Sequence, residues 1–328
     1  MRQKVYASPS ASRKLGYPNP YVPNLKKEFS GAFEVLEADN RPCLMQGGAL
    51  LRNSVKGDIF LLSFVETIAF HPLALLQTCM ALLALDIMKL RRRSIVFFFH
   101  NPRPHKGENW LSRKLTRRLF RYADLVVTHS ENTAAIAREK VGESKVLMCP
   151  IPFEPAAAPV AKGPECDVLI WGSIFPYKGV AEFLADPAIA ASGLRVDIIG
   201  ECRDAALAEK IASLATGSVR FENRRPEMEE IASRVAGSRI VLFPYLPGSV
   251  SGSGSLTDTL RLGGNPVGPD AGAFRDLAAQ GLCKVYSTAS EVPGIVESGW
   301  KVDESKLARY IEANSWSAFA EKIIKFVR

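Results

Sequence analysis

The chain carries little of what marks several common protein classes. Its 328 residues include four histidines and six cysteines, and the cysteines (43, 79, 149, 166, 202, 283) form no CxxC pair and no Cys/His cluster. That argues against a zinc site and a disulfide scaffold, and it fits a reducing compartment. GxGxxG and GK[ST] are both missing, so neither a dinucleotide dehydrogenase nor a P-loop NTPase is expected. The opening MRQKVYASPSASRKLG lacks the apolar core of a secretory signal. Within the most apolar region, Ile59 to Met88, the part not broken by charge, His or Pro, Leu73 to Leu85, is too short to span a bilayer.

What is present is an ordinary globular composition, 47% hydrophobic and 23% charged, with 24 Gly and 21 Pro. The chain is too apolar for disorder and too long for one ordinary core, so two domains are expected. Charge divides unevenly between them. Residues 1–155 hold 23 basic and 13 acidic residues, whereas residues 156–328 hold 19 and 21, within an overall balance of +8. The basic half is therefore the one that meets an anionic partner.

The hydrophobic pattern predicts alternating strands and helices. In the first half, 1–30 reads as extended loop because of its X-Pro steps. A short strand follows at 33–38, a strand at 58–64, a buried helix at 72–90 and a strand at 94–100. Asn101–Gly107 is a loop, 110–123 an amphipathic helix, 125–129 a strand, 131–140 a helix and 146–149 a strand. Pro150–Pro159 is hinge-like. In the second half, strands at 167–171, 194–199, 219–221, 240–243 and 267–268 alternate with helices at 180–185, 204–215, 226–235, 256–262 and 273–279. The fold class expected is α/β, two doubly wound parallel sheets, with ligands outside the carboxyl ends of strands and in an interdomain cleft.

Four loops follow predicted strands: Ser63–Glu66, His100–Gly107, Gly172–Gly179 and the Gly/Ser-rich Pro244–Ser255. In the last, small residues let backbone N–H groups approach an anion, and the next helix adds its positive end. Lys178 supplies a point charge from the neighbouring loop. Two such loops in one α/β domain point to a diphosphate.

Trp171-Gly-Ser-Ile-Phe-Pro-Tyr-Lys-Gly-Val, then Val241-Leu-Phe-Pro-Tyr, Ser251-Gly252 and Gly264-Asn-Pro-Val-Gly-Pro-Asp270-Ala-Gly, together resemble the C-terminal domain of GT-B nucleotide-sugar glycosyltransferases of the family-4-like group. Asn19-Pro-Tyr, Asp58–Glu66, Phe99–His105 and Ala123–Ser130 resemble the acceptor domains of bacterial exopolysaccharide glycosyltransferases, including the beta-mannosyl type. The resemblance covers residues 17 to 285. It implies an acceptor-binding Rossmann-like domain at 1–150, a linker at 151–163, a nucleotide-sugar domain at 164–305 and a C-terminal helix at 306–328 that crosses back to the first domain.

There are departures from the family pattern. Retaining members carry two glutamates with seven residues between them; Ser251 and Thr259 stand there, with Asp258 adjacent, and Gly172-Ser173 replaces the usual glycine-arginine. Thr259 or Asp258 would then hold the nucleotide ribose, with Tyr245 beside the nucleotide. Both stereochemical outcomes and the donor sugar stay open. The resemblance implies that Lys178, Gly172, Ser173, Ser251, Gly252 and Ser253 receive the donor diphosphate, with Arg224 or Arg225 as further candidates. Without an Asp-x-Asp motif, neither a metal nor another cofactor is expected. An inverting reaction needs a base, for which Glu66, His105 and His100 are the candidates. His71 reads as a helix start and His129 as a packing or capping residue.

From Lys89 to Ala123 there are eleven basic residues and one acidic residue, Glu108, interleaved with apolar side chains and Trp110. The helix bearing Arg113, Lys114, Arg117, Arg118 and Arg121 is expected to meet an anionic membrane. The implied enzyme is a cytoplasmic glycosyltransferase, peripheral on the inner face of the membrane, that passes a sugar from a nucleotide sugar to a lipid-linked saccharide. Two rivals remain: a nucleotide-sugar epimerase, which has no need of the basic helix, and a basic nucleic-acid-binding protein. No nucleic-acid recognition motif is present, so nucleic acid is not the expected partner.

Overall fold

The computed structural model describes residues 2–9, 21–36, 45–100, 107–155, 165–246 and 252–327. The chain divides into two compact units, Met1–Pro150 with Trp316–Arg328 (unit 1) and Ile151–Ser315 (unit 2).

Unit 1 runs β1 (Lys4–Ser8), α1 (Tyr21–Ser30), β2 (Glu34–Val35), α2 (Gln46–Ser54), β3 (Ile59–Ser63), α3 (Ala74–Leu90), β4 (Ser94–Phe98), α4 (Trp110–Tyr122), β5 (Leu125–Thr128), α5 (Glu131–Val141) and β6 (Val146–Met148). Its six strands lie in the order β2-β1-β3-β4-β5-β6, all pairs parallel. The strands read as apolar runs because both faces are covered. On one face Tyr6, Phe60, Leu62 and Phe97 pack with Leu85 and Met88 of α3 and Leu115 and Leu119 of α4. On the other, Val5, Leu61, Phe98 and Val127 pack with Leu25 and Phe29 of α1. The order reverses between β1 and β3, so the loops leaving those strands flank the topological switch point.

Unit 2 runs β7 (Cys166–Trp171), α6 (Val180–Leu184), α7 (Pro187–Ala191), β8 (Val196–Ile199), α8 (Ala205–Leu214), β9 (Val219–Glu222), α9 (Met228–Ala236), β10 (Ser238–Leu242), α10 (Gly254–Arg261), β11 (Pro266–Pro269), α11 (Gly272–Ala279), β12 (Lys284–Tyr286), α12 (Val292–Glu297) and α13 (Glu304–Ala313). A final helix, α14 (Trp316–Val327), belongs to unit 1, where Trp316, Phe319 and Ile323 join the core on the α1 face. The second sheet has the order β12-β11-β10-β7-β8-β9, again parallel, and reverses between β7 and β10.

The two doubly wound sheets match the expected fold class. Four expectations change. The N-terminal thirty residues are not all loop: they supply β1 and, from Tyr21, α1. Pro23 sits in the first turn of α1, where its missing N–H costs no helical bond. Helix α2 was not anticipated. A single helix over 306–328 is replaced by α13 and α14, parted at Asn314 and Ser315. Finally, α3 is not buried all round. Leu75, Leu76, Leu83 and Leu90 are exposed on it. Most of the linker expected at 151–163 lies outside the described residues; Phe153 within it forms a bridge with Ser315.

Candidate functional site

In unit 2, β7 and β10 pair side by side, so the loops leaving them emerge together at the switch point. The backbone joins these loops. Leu246 N–H donates to the Tyr177 carbonyl at 3.0 Å. Gly179 has φ +64°, and a Cβ there would lie 2.1 Å from the Pro244 carbonyl oxygen, so only glycine lets the loops meet. The loop from β8 also presses close: a Cβ on Gly200 would stand 1.9 Å from the Gly172 carbonyl oxygen.

Around Gly172 the polar groups converge. The Cβ that Gly172 lacks would lie 3.0 Å from Ser255 Oγ and 3.7 Å from Lys178 Nζ. The Lys178 ammonium sits 5.3 Å over the Tyr245 ring, a cation–π contact that steadies it. The Tyr245 hydroxyl meets Ser253 Oγ at 3.0 Å, and Ser253 caps α10 by accepting from Leu256 N–H at 3.3 Å. An ammonium, a serine hydroxyl and a capped helix start therefore share one small-residue cradle, a design suited to an anion.

Of the diphosphate residues expected from the sequence, Gly172 and Lys178 meet here, Ser173 is exposed beside them, and Gly252 precedes the cap. Ser253 acts as the cap itself. Ser251 lies outside the described residues. Ser255 was not singled out by the sequence; nothing in its local pattern distinguishes it from its serine neighbours. Three expectations need correction. Thr259 is fully buried and accepts from Trp171 Nε1 at 2.9 Å, so its hydroxyl is already committed to the scaffold. Tyr245 is buried beneath Lys178 and ties down the loop, rather than presenting a free face. Arg224 is held by Glu222 at 2.7 Å and Glu230 at 2.5 Å. Asp258 stays partly exposed. Burial, with Glu154 nearby, pushes its carboxyl up against the opposing pull of Arg261, 3.4 Å away.

In unit 1 the candidate groups follow β3 and β4, which pair in register from Ile59–Ser94 to Ser63–Phe98. Phe64 takes φ +55°, a left-handed conformation that costs energy in a residue with a side chain. That turn lays its ring on His100, with centroids 4.2 Å apart and planes at 8°. Two residues on, Glu66 has one carboxylate oxygen buried with no hydrogen-bond partner among the described residues. Burial pushes its pKa up to about 7, only partly offset by its own backbone N–H. A carboxyl with no counter-charge among the described residues, poised near neutrality, suits proton transfer.

Burial, helped by His129, holds His100 well below the usual histidine range. His129 is lowered to about 4, mainly by burial. Its Nδ1 bonds the Cys149 carbonyl at 2.9 Å and its Nε2 meets the Tyr21 hydroxyl at 2.9 Å, so it bridges two elements, and the N-cap position of α5 falls to Ser130. His105 lies outside the described residues.

Helix α4 begins with a capping box: Asn109 accepts from Ser112 N–H at 2.8 Å, and Ser112 Oγ accepts from Asn109 N–H at 3.0 Å. Leu111, Leu115 and Leu119 face the core, leaving Arg113, Lys114, Arg117 and Arg121 exposed. Arg118 differs from these. It is ion-paired with Asp86 of α3 and is not free for an external anion.

The two doubly wound units are the architecture of GT-B glycosyltransferases. Similar solved structures include HepE from Anabaena in complex with UDP and glucose (13% identity, 100% of this chain and 97% of that chain, TM-score 0.62). Sucrose-phosphate synthase from Thermosynechococcus elongatus is similar at 12% identity over 99% of this chain and 98% of that one, TM-score 0.70. AviGT4, a glycosyltransferase involved in avilamycin A biosynthesis, is similar at 14% identity over 100% and 97%, TM-score 0.65. In sequence, no family model and no curated protein matches the chain. The likeness is one of fold.

Proposed function

We propose that the protein is a glycosyltransferase that moves a sugar from a UDP- or GDP-sugar to a lipid-linked saccharide in the assembly of a bacterial surface or exopolysaccharide. The observation that carries this reading is the cradle at the unit 2 switch point, where Lys178 and Ser255, the latter in the first turn of α10, converge on Gly172 at the end of β7. The donor diphosphate fits there. The Lys178 ammonium and the α10 N-terminus would neutralise charge as the nucleotide diphosphate leaves, a task that other transferases give to a metal ion. Asp258 is the remaining candidate for the ribose. HepE, one of the similar structures, was solved with UDP and glucose.

Glu66 suits the base that an inverting displacement requires. Its carboxylate takes the proton of the acceptor hydroxyl as that oxygen bonds to the anomeric carbon, and the bond from that carbon to the diphosphate breaks. His100, held neutral by burial, is stacked on Phe64, two residues before Glu66 in the chain. The acceptor's lipid anchor accounts for the exposed basic face of α4.

A panel of UDP-, GDP- and dTDP-sugars, each tested for binding and transfer, decides the matter. Binding of at least one donor is expected, weakened about 10–100-fold by Lys178→Ala through loss of a charge-assisted contact. No binding, hydrolysis or transfer with any donor would sink the reading.

A further inference from the structure

Helix α3 is largely apolar, its polar residues being Gln77 and Thr78, which are buried, Asp86 and Lys89, yet an arc of its leucines faces solvent. Leu76, Leu83 and Leu90 repeat every seven residues along it and are exposed, Leu90 to 83%. Leu75 and Cys79 lie on the same arc and are exposed too. The arc contains one acidic residue, Asp86, three residues beyond Leu83 and four before Leu90. Asp86 is engaged by Arg118 and accepts from the Tyr122 hydroxyl at 2.9 Å, both from α4. The exposed arc therefore keeps no unpaired negative charge, and the same contacts fix α4 alongside it.

On α4, Lys114 lies one turn before Arg118 and Arg121 one turn after, so a basic ridge runs beside the leucine stripe. Arg113 and Arg117 extend the exposed positive surface. Trp110, 58% exposed, opens the helix.

We propose that α3 and α4 form one docking surface for an anionic phospholipid bilayer, with α3 lying in the plane of the membrane, its leucines inserted, and α4 meeting the headgroups. No described helix is long and apolar enough to cross a membrane. An interfacial helix ordinarily carries its apolar and basic faces itself. Here the two faces belong to neighbouring helices locked by Arg118 and Asp86. Charge selects a bilayer over a second copy of the chain: two-fold pairing through the stripe would bring like-charged α4 ridges together, whereas anionic headgroups complement them. The inference deepens the lipid-linked acceptor of the proposed function and rests on it for its purpose, but not for its test.

The test is sedimentation of the full chain with vesicles of phosphatidylcholine alone or with one-quarter phosphatidylglycerol. Wild type is expected to favour the anionic vesicles by about tenfold or more at low salt. The combined Leu76→Ser, Leu83→Ser, Leu90→Ser variant should bind about tenfold or more weakly. The combined Arg113→Glu, Lys114→Glu, Arg117→Glu variant should lose the preference for anionic vesicles. All six positions are exposed, and an unchanged Tm confirms folding. Wild type that ignores vesicles, or a leucine variant that binds like wild type, would overturn the proposal. So would a leucine-dependent dimer, seen by light scattering, in a protein that ignores vesicles. Donor binding measured without vesicles reports on the proposed function separately, so either idea can fail alone.

Discussion

Arg234 in unit 2 bridges Asp197, Glu222 and Glu230, each at 2.7 Å, and Arg224 holds the same two glutamates. In unit 1, by contrast, Arg113, Lys114, Arg117 and Arg121 stand exposed, and no salt bridge among the described residues engages them. The balance follows the fold: unit 1 holds 26 basic and 13 acidic residues, unit 2 holds 16 and 21. The division is sharper than a cut near residue 155 suggests, because α14 brings its lysines to unit 1. All four histidines also lie in unit 1. One topology thus serves two ends. Unit 2 pairs most of its charges internally and gathers Lys178 and Ser255 around Gly172. Unit 1 buries titratable groups in its sheet ends and leaves cations on its surface.

The largest expected effect tests that contrast at Glu66. Glu66→Gln should lower transfer by about 10²–10⁴-fold while leaving donor binding in unit 2 intact. Wild-type kcat/KM should rise with pH through about 7, the value set by burial of Glu66. Stability runs the opposite way. The folded pKa is raised above the ordinary 4.5, so the protonated group is tolerated below that pH and becomes destabilising as pH rises towards 7. Glu66→Gln should therefore raise the Tm at pH 8 more than at pH 4. An active variant with an unshifted pH profile would remove Glu66 from the reaction.

Next comes Gly200→Ala in unit 2. Its Cβ would meet the Gly172 carbonyl oxygen at 1.9 Å, backbone against backbone, with no side chain able to yield. A loss of about 3 kcal/mol in urea unfolding is expected, with weakened donor binding. A neutral substitution would mean that the two loops are not held as closely as the cradle requires.

Acid should separate the units. His129 has its folded pKa lowered to about 4 from an ordinary 6.5, so its neutral form supports unit 1 fully above pH 6.5. That support, about 3 kcal/mol, is lost as pH falls from 6.5 through 4. In unit 2, Arg224 and then Arg234 hold Glu230 at about 2, so its loss begins below 4.5. Hydrogen exchange at pH 5 should accelerate in unit 1 strands before unit 2 strands; the reverse order would break the comparison.

The smallest effect is at Arg203, paired with Glu201 at 3.0 Å on the open surface of unit 2. Solvent and side-chain entropy offset such a pair. Arg203→Ala should leave the Tm unchanged by differential scanning calorimetry, and a clear drop would show that surface pairing in unit 2 is structural.

Much of this was legible in the sequence where the information is local. The apolar runs at 58–64 and 94–100 became β3 and β4, and Lys178 lies in the loop that follows β7. The strand Lys4–Ser8 is not legible in the sequence because five residues, only partly apolar, carry little periodic signal. Nor is Ser255, because its role arises from a contact with Gly172, more than eighty residues away. Thr259 was placed in the site by position alone, and the Trp171 indole N–H that claims it is equally remote.

By itself the sequence determined the alternation of strands and helices, the division into two α/β units, the small-residue loops and the basic run before residue 123. These follow from periodicity, propensity and charge, which neighbouring residues carry. Only the tertiary structure decided which arc of α3 faces water, that Arg118 is spent on Asp86, and that α14 belongs to unit 1. It also decided that Glu66 stands half-buried, one carboxylate oxygen enclosed with no hydrogen-bond partner among the described residues. A helix with leucines on opposite sides gives little sign of which side will be covered, and a carboxyl's proton affinity depends on what the rest of the chain places around it.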